Sequence, residues 1–334
     1  DSVSDQELQN ELNKAGINKD EIRKLFIRQK LYSGNEFAFK EVFDKKTFDE
    51  NCVVVKEVVK LLEKYRIKYS TKQQFLGDFF ENLLNTGIKQ ESGQFFTPIP
   101  VAQFLCKSLP IKTIIENKDI NKEPFFLPYV IDYSSGSGHF LTEIMEEIDN
   151  LIQKIDVSWI NCGEKHRDLF MSQKDKYRWA EEYVYGIEKD YRLAKTTKIS
   201  TFLNGDGDAN IICGDGLGHF SKTKEYRGKL KEITEDNQNK QFDIIVANPP
   251  YSVDGFKTTL SHGKESFELY KYLTDNSSEI ECLFIERTKQ LLKDNAVAGV
   301  ILPISILTNE GIQTKTREIL LKYFNIKAIV ELGS

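Results

Sequence analysis

At 334 residues, with 40% hydrophobic and 29% charged side chains, the chain has the composition of a folded globular protein with room for two domains, which excludes a disordered or fibrous polypeptide. No run of about 18 uncharged apolar residues occurs, and the start, Asp1-Ser2-Val3-Ser4-Asp5, lacks the basic and apolar regions of a secretory leader, so a cytoplasmic location away from membranes is expected. The formal charge is −5, with 16 Lys+Arg against 15 Asp+Glu in residues 1–90 and 30 against 36 in the rest, which excludes a strongly basic nucleic-acid-binding module.

Residues 1–90 read as an all-helical N-terminal domain. Glu21–Phe26 and Val54–Leu62 place apolar residues at spacings of three and four with charges between, Gln73–Leu84 continues the pattern, and Thr86-Gly87 is a helix-stop signal. From about residue 125 short apolar runs alternate with longer amphipathic segments, the pattern of a parallel sheet wrapped by helices. Strands are expected at Tyr129–Tyr133, Val184–Ile187, Ala209–Cys213, Phe242–Ala247, Gly299–Pro303 and Ile326–Leu332, and helices at Leu141–Lys154, Tyr191–Leu203 and Cys282–Leu292. Ser221–Lys240, rich in Lys, Glu, Asn and Gln, reads as a solvated loop or exposed helix. The five cysteines are scattered without a C-x-x-C pair and only four histidines are present, so neither a zinc site nor a disulfide framework is expected.

Four strand ends carry candidate chemistry. Asp132-Tyr133-Ser134-Ser135-Gly136-Ser137-Gly138 joins an apolar strand to an amphipathic helix; its glycines allow close backbone approach, and the helix N-terminus offers free N–H groups to a carboxylate. That turn alone is compatible with a plain structural role, a dinucleotide or S-adenosyl-L-methionine. Glu188, at the tip of the second strand, is placed to accept both ribose hydroxyls of an adenosine cofactor, and Asp215, after the third, to accept from the adenine amino group; a surface Glu and a turn-forming Asp are the plainer alternatives. The fourth strand ends in Asn248-Pro249-Pro250-Tyr251. Two prolines withhold backbone donors while keeping their carbonyls, so this loop is rigid and rich in acceptors. Such a loop suits an aromatic amine, whose lone pair is delocalised: the Asn248 side-chain oxygen and the Pro249 carbonyl hold the two hydrogens, the nitrogen turns toward tetrahedral geometry, and Tyr251 stacks on an extruded base.

These segments, with Gly93-Gln94-Phe95-Phe96-Thr97-Pro98 ahead of the sheet, Gly186-Ile187-Glu188 followed by Tyr191-Arg192-Leu193-Ala194, Asn204-Gly205 and Cys213-Gly214-Asp215, resemble the N6-adenine DNA methyltransferase family, and most closely the modification subunits of type I restriction–modification systems. The resemblance runs over about residues 73–332. It implies an α/β fold, a Rossmann-like S-adenosylmethionine-dependent methyltransferase sheet over residues 91–334, and methyl transfer to the N6 amino group of adenine in DNA. It further implies catalytic roles for Asn248, Pro249, Pro250 and Tyr251, and a cofactor site built from Gln94, Phe95, Phe96, Thr97, Pro98, Asp132, Ser135, Gly136, Ser137, Gly138, Glu188 and Asp215, with Gln94–Pro98 on the methionine side. Expected partners are DNA, a specificity subunit and a restriction subunit or fused equivalent. The family has Pro where this chain has Tyr133, and its sheet continues past Leu332, so the catalytic domain is expected to be truncated at its C-terminal end. Asn-Pro-Pro-Tyr also suits a methylase of RNA adenine or of a protein glutamine amide, and the same fold serves non-catalytic DNA-binding assembly subunits.

Overall fold

The structure, a computed structural model, describes residues 97–117, 127–152, 179–204, 209–226, 230 and 241–333, with a few positions between 53 and 63. The chain divides into two compact units, 1–66 and 67–334. In the first, Val53, Lys56, Glu57, Lys60 and Leu61 are helical and exposed; the expected helix at Glu21–Phe26 lies outside the described residues, as does that at Gln73–Leu84 of the second unit.

The second unit is built on five parallel strands: β1 (Val130–Asp132), β2 (Val184–Glu188), β3 (Asn210–Cys213), β4 (Phe242–Ala247) and β5 (Leu292–Val300), in the spatial order β3-β2-β1-β4-β5. The helices are α1 (Ile99–Ser108), α2 (Ile111–Asn117), α3 (His139–Ile152), α4 (Tyr191–Asn204), α5 (Ile280–Leu291) and α6 (Ile312–Tyr323), with short turns between. Parallel strands need crossovers that cover both faces, so their side chains are apolar on both sides. Accordingly β4 is buried at every position, and Val130, Ile131, Val184 and Ile212 are inaccessible.

Strand order reverses at β1. The chain leaves it outward to β2 and β3, then crosses back to lay β4 on its other side, which opens a crevice beyond the carboxyl ends of β1 and β4. The last residue of β1 is Asp132, and Asn248 follows the last residue of β4. Helix α1 carries the segment before it toward that crevice: Pro98 caps the helix, its carbonyl accepting from Val101 N–H at 2.9 Å and Ala102 N–H at 3.1 Å, and Pro100 needs no partner in the first turn. α1 packs on α3, and Leu105 lies where a Cβ on Gly299 would stand, 2.9 Å away, so the helix also sits against β5.

Two expected strands need correction. The fifth is not Gly299–Pro303 but Leu292–Val300; it begins with an irregular stretch in which Asn295 takes a left-handed φ of 62°, and it stops before Pro303, which has no N–H for a ladder. Ile326–Leu332 is not a strand: its alternating apolar residues are exposed and it forms no ladder with the described sheet, and alternation without a pairing neighbour does not stabilise extended backbone. Of Ser221–Lys240, the described part holds a short turn with Tyr226 buried. Among the described residues no helix is long and apolar enough to cross a membrane.

Candidate active site

The crevice is a cleft lined by Thr97, Asp132, Ser134, Ser135, Gly136, Ser137, His139, Phe140 and Asn248. Its floor is the turn between β1 and α3. Ser135 N–H donates to Ile187 O at 2.9 Å, joining the turn to β2, and Gly136 and Gly138 take left-handed φ values of 53° and 87°. A Cβ on Gly138 would meet Thr197 Cγ2 at 2.8 Å. From α4, Thr197 donates its hydroxyl to Gly136 O at 2.5 Å. The turn is thereby clamped from below, with the first turn of α3 opening onto the cleft.

Two carboxyl groups stand beside this turn, both nearly inaccessible. Asp132 Oδ1 accepts from Ser134 N–H at 3.0 Å, while Oδ2 finds no hydrogen-bond partner among the described residues. Burial, then the charge of Glu188, pushes Asp132 up to about 8. Glu188 accepts Gly136 N–H on Oε2 and Asp190 N–H on Oε1, each at 2.8 Å, and burial raises it to about 7 in spite of those donors. Asp190 in turn caps α4, its Oδ1 accepting from Arg192 N–H at 2.8 Å and Leu193 N–H at 3.2 Å.

Asp215 lies further out. Its Oδ1 accepts from Leu217 N–H and its Oδ2 from Lys189 Nζ, both at 2.9 Å, and the pair is solvent-accessible. The loop after it is held by Arg287, fully buried on α5, which donates from Nη2 to Gly218 O at 2.7 Å and lies between the Phe220 and Phe267 rings at 4.3 and 4.9 Å. Burial lowers Arg287 to about 10. Tyr133 turns away from the cleft: its ring stacks on Phe284 at 5.3 Å and its hydroxyl shares a hydrogen bond with Thr288 Oγ1 at 2.9 Å.

At the end of β4, Asn248 Nδ2 donates to Thr97 Oγ1 at 2.9 Å, and Asn248 Oδ1 accepts from the Tyr251 hydroxyl. Pro249 is buried; Pro250 and Tyr251 are half-buried. Beyond them Ser252 takes a left-handed φ of 50°, and its N–H donates to Glu281 Oε2 at 3.3 Å, which fixes the exit of the loop against α5.

The motifs on β1, β2, β3 and β4 thus stand together at the carboxyl ends of one parallel sheet, where open α/β folds bind their ligands. A family model described as N-6 DNA Methylase matches residues 71–334. The chain belongs to that family. It is 22% identical over 298 residues to the type I restriction enzyme EcoEI methylase subunit of Escherichia coli, covering 89% of the chain and 50% of that protein. It is 27% identical over 226 residues to the type II restriction enzyme and methyltransferase RM.Eco57I of Escherichia coli, covering 61% and 22%. The chain therefore spans half the length, or less, of these curated relatives. The type I restriction–modification methyltransferase subunit from Streptococcus thermophilus shares the fold, with a TM-score of 0.51 at 20% identity, covering 95% of this chain and 59% of that one.

In this chain, Thr97, Asp132, Ser135, Gly136, Ser137 and Asn248 line one cleft, joined by Glu188 and Gly138 through the turn and by Tyr251 through Asn248. Pro98 sits at the start of α1, and Asp215 stands apart, paired with Lys189. Gln94, Phe95 and Phe96 lie outside the described residues. Sequence reasoning missed Ser134, His139 and Phe140 on the cleft wall and the anchors Thr197 and Arg287. Asp190 carried a readable signal, an Asp just ahead of an amphipathic segment; Thr197 and Arg287 carried none.

Proposed function

We propose that this chain is the cofactor-binding and catalytic part of a site-specific DNA methyltransferase that modifies the N6 amino group of adenine within a restriction–modification system in the cytoplasm. The observation that carries the reading is the placement of Asn248, whose side chain reaches Thr97 and lines the same cleft as Asp132 and the glycine turn. An amine acceptor is thereby set beside a cofactor cleft. The residues fit S-adenosylmethionine, because Asp132 Oδ2 is buried and lacks a hydrogen-bond partner among the described residues, at a site suited to a cationic ligand. Asp132 and the Gly136–Gly138 turn would hold its amino acid end together with Thr97, and Glu188, each of whose oxygens keeps a second lone pair, its ribose. Asp215 would take the adenine amino group in exchange for Lys189 or beside it. Bound there, the cofactor supplies an electrophilic methyl group.

The chain's own residues do the rest. Asn248 Oδ1 and the Pro249 carbonyl accept the two hydrogens of the target amine and steer its lone pair, and the Tyr251 ring supports the extruded base. The names of the relatives support DNA as substrate and separate or fused restriction and specificity functions as partners. The test is single-turnover methyl transfer to duplex DNA by the reconstituted complex, with the methylated base identified after digestion. Asn248→Ala is expected to lower the rate by about 10²–10³ while leaving cofactor affinity intact, since it removes an acceptor used in the transition state. A methyl group found on cytosine, RNA or a protein glutamine, or a near-native rate in the variant, would overturn the reading.

A further inference from the structure

The Asn248 amide is held at both ends, and the two contacts differ in kind. Tyr251 occupies Oδ1, the atom that the target amine needs, and its phenol sits on a half-buried side chain of the same loop. An incoming amine can replace that hydroxyl, one donor for another, as the ring turns to meet the base. Thr97 holds Nδ2, the end that has no part in accepting hydrogens, from a different segment 151 residues away in the chain. An amide turned over by 180° would present its own N–H groups to an amine, donor against donor. A hydroxyl donates as well as accepts, so Thr97 fixes where the amide lies rather than its sense, and it is the contact that remains once Tyr251 has moved.

We infer that Thr97 is a positioning residue for methyl transfer: its hydroxyl anchors the Asn248 amide beside the target amine, in addition to lining the cofactor cleft. The inference rests on the reading of Asn248 as the amine acceptor. Thr97 joins the two halves of the site, because the cleft wall and the amide share this one hydroxyl.

The test is a double-variant cycle on the reconstituted complex, read by single-turnover methyl transfer to duplex DNA at saturating cofactor. Thr97→Val keeps the shape and removes the acceptor; it is expected to slow transfer by about tenfold or more, because the Nδ2 donor is left without a partner. Thr97→Ser restores the oxygen and should stay within about threefold of the parent; because Thr97 also lines the cofactor cleft, any change of cofactor affinity in Thr97→Val is measured by calorimetry and removed from the rate comparison by saturation. In the Asn248→Ala background, Thr97→Val should cost less than about twofold, since there is no amide left to orient. An equal cost in both backgrounds, a Ser variant as slow as the Val variant, or a loss confined to cofactor affinity overturns the inference and leaves the reading of the pocket standing. Near-native rates in Asn248→Ala alone overturn that reading, and the inference with it.

Discussion

Asp132 and Glu188 end neighbouring strands, both out of reach of solvent, and among the described residues neither has an opposite charge to offset its burial. Their carboxyls are pushed up to about 8 and about 7, so both are largely neutral at pH 6 and take on charge as pH rises through that range. The consequences for the free and the loaded protein run in opposite directions. For the fold alone, a carboxyl with a raised native pKa contributes stability that is fully present below about pH 4 and is lost as pH climbs through 7 and 8. For a cationic cofactor that needs the ionised form, affinity rises over the same interval, by at most about tenfold per pH unit for each proton released. We therefore expect the dissociation constant for S-adenosylmethionine to fall between pH 6 and pH 8.5 in calorimetric titrations, with proton release seen as a buffer-dependent heat. Asp132→Asn should bind more weakly at pH 8.5 and show a flatter profile. A parental profile as flat as that of the variant would mean that Asp132 does not face the cofactor.

At the scale of elements, the glycines after β3 look alike in the sequence and are not alike in the fold. Gly216 passes so close to β1 that a Cβ would stand 2.2 Å from Tyr133 O and 3.2 Å from Phe284 Cε1, whereas a Cβ on Gly214 would meet nothing nearer than Glu225 Cβ at 3.5 Å. Gly216→Ala must push β1 or α5 aside and is expected to cost about 1–3 kcal/mol or more, a fall in melting temperature of roughly 2–5 °C or greater. Gly214→Ala should stay within about 0.5 kcal/mol of the parent. Thermal melts of the two variants side by side check this, and equal losses would show that the contact with Tyr133 is relieved without cost. The same elements mark the limit of what periodicity conveys. The first four strands, α3, α4 and α5 were legible to within a few residues because they are buried on both faces or on one clear stripe. The start of β5 was not, since Lys293-Asp294-Asn295 reads as a loop and lies in the irregular stretch between Leu292 and Val297, the residues that pair with β4. Ile326–Leu332 has the alternation of a strand and none of the pairing. Asn248, Asp132 and Glu188 announced themselves at strand ends, while Thr197 and Arg287 act through bonds to residues 61 and 69 positions away, which no local pattern encodes.

The molecule as a whole carries a charge of −5, an unpromising balance for a protein whose substrate is proposed to be a polyanion. Many of its cations are already engaged: in the described part, Lys189, Lys222, Lys257, Lys289, Lys293 and Lys315 each pair with a carboxylate. Recruiting one of them to a phosphate means giving up its partner, so the contact gains little. Phosphate contacts supply most of the sequence-independent affinity for DNA, and each neutralised phosphate contributes a slope of about −0.9 to the dependence of log K on log salt concentration. A chain of net charge −5 should therefore bind duplex DNA in the non-specific range, with a dissociation constant of about 10⁻⁴–10⁻⁶ M at physiological salt. Its salt slope should be on the order of −2 to −4, well short of the values near −10 reached by highly basic DNA-binding proteins. Sequence should make no more than a few-fold difference. Fluorescence anisotropy with two unrelated labelled duplexes, titrated at several salt concentrations with the cofactor present, measures all three quantities. A nanomolar complex with one duplex and not the other at 150 mM salt would show that this chain reads DNA sequence unaided, and a specificity subunit would then no longer be needed to account for site selection.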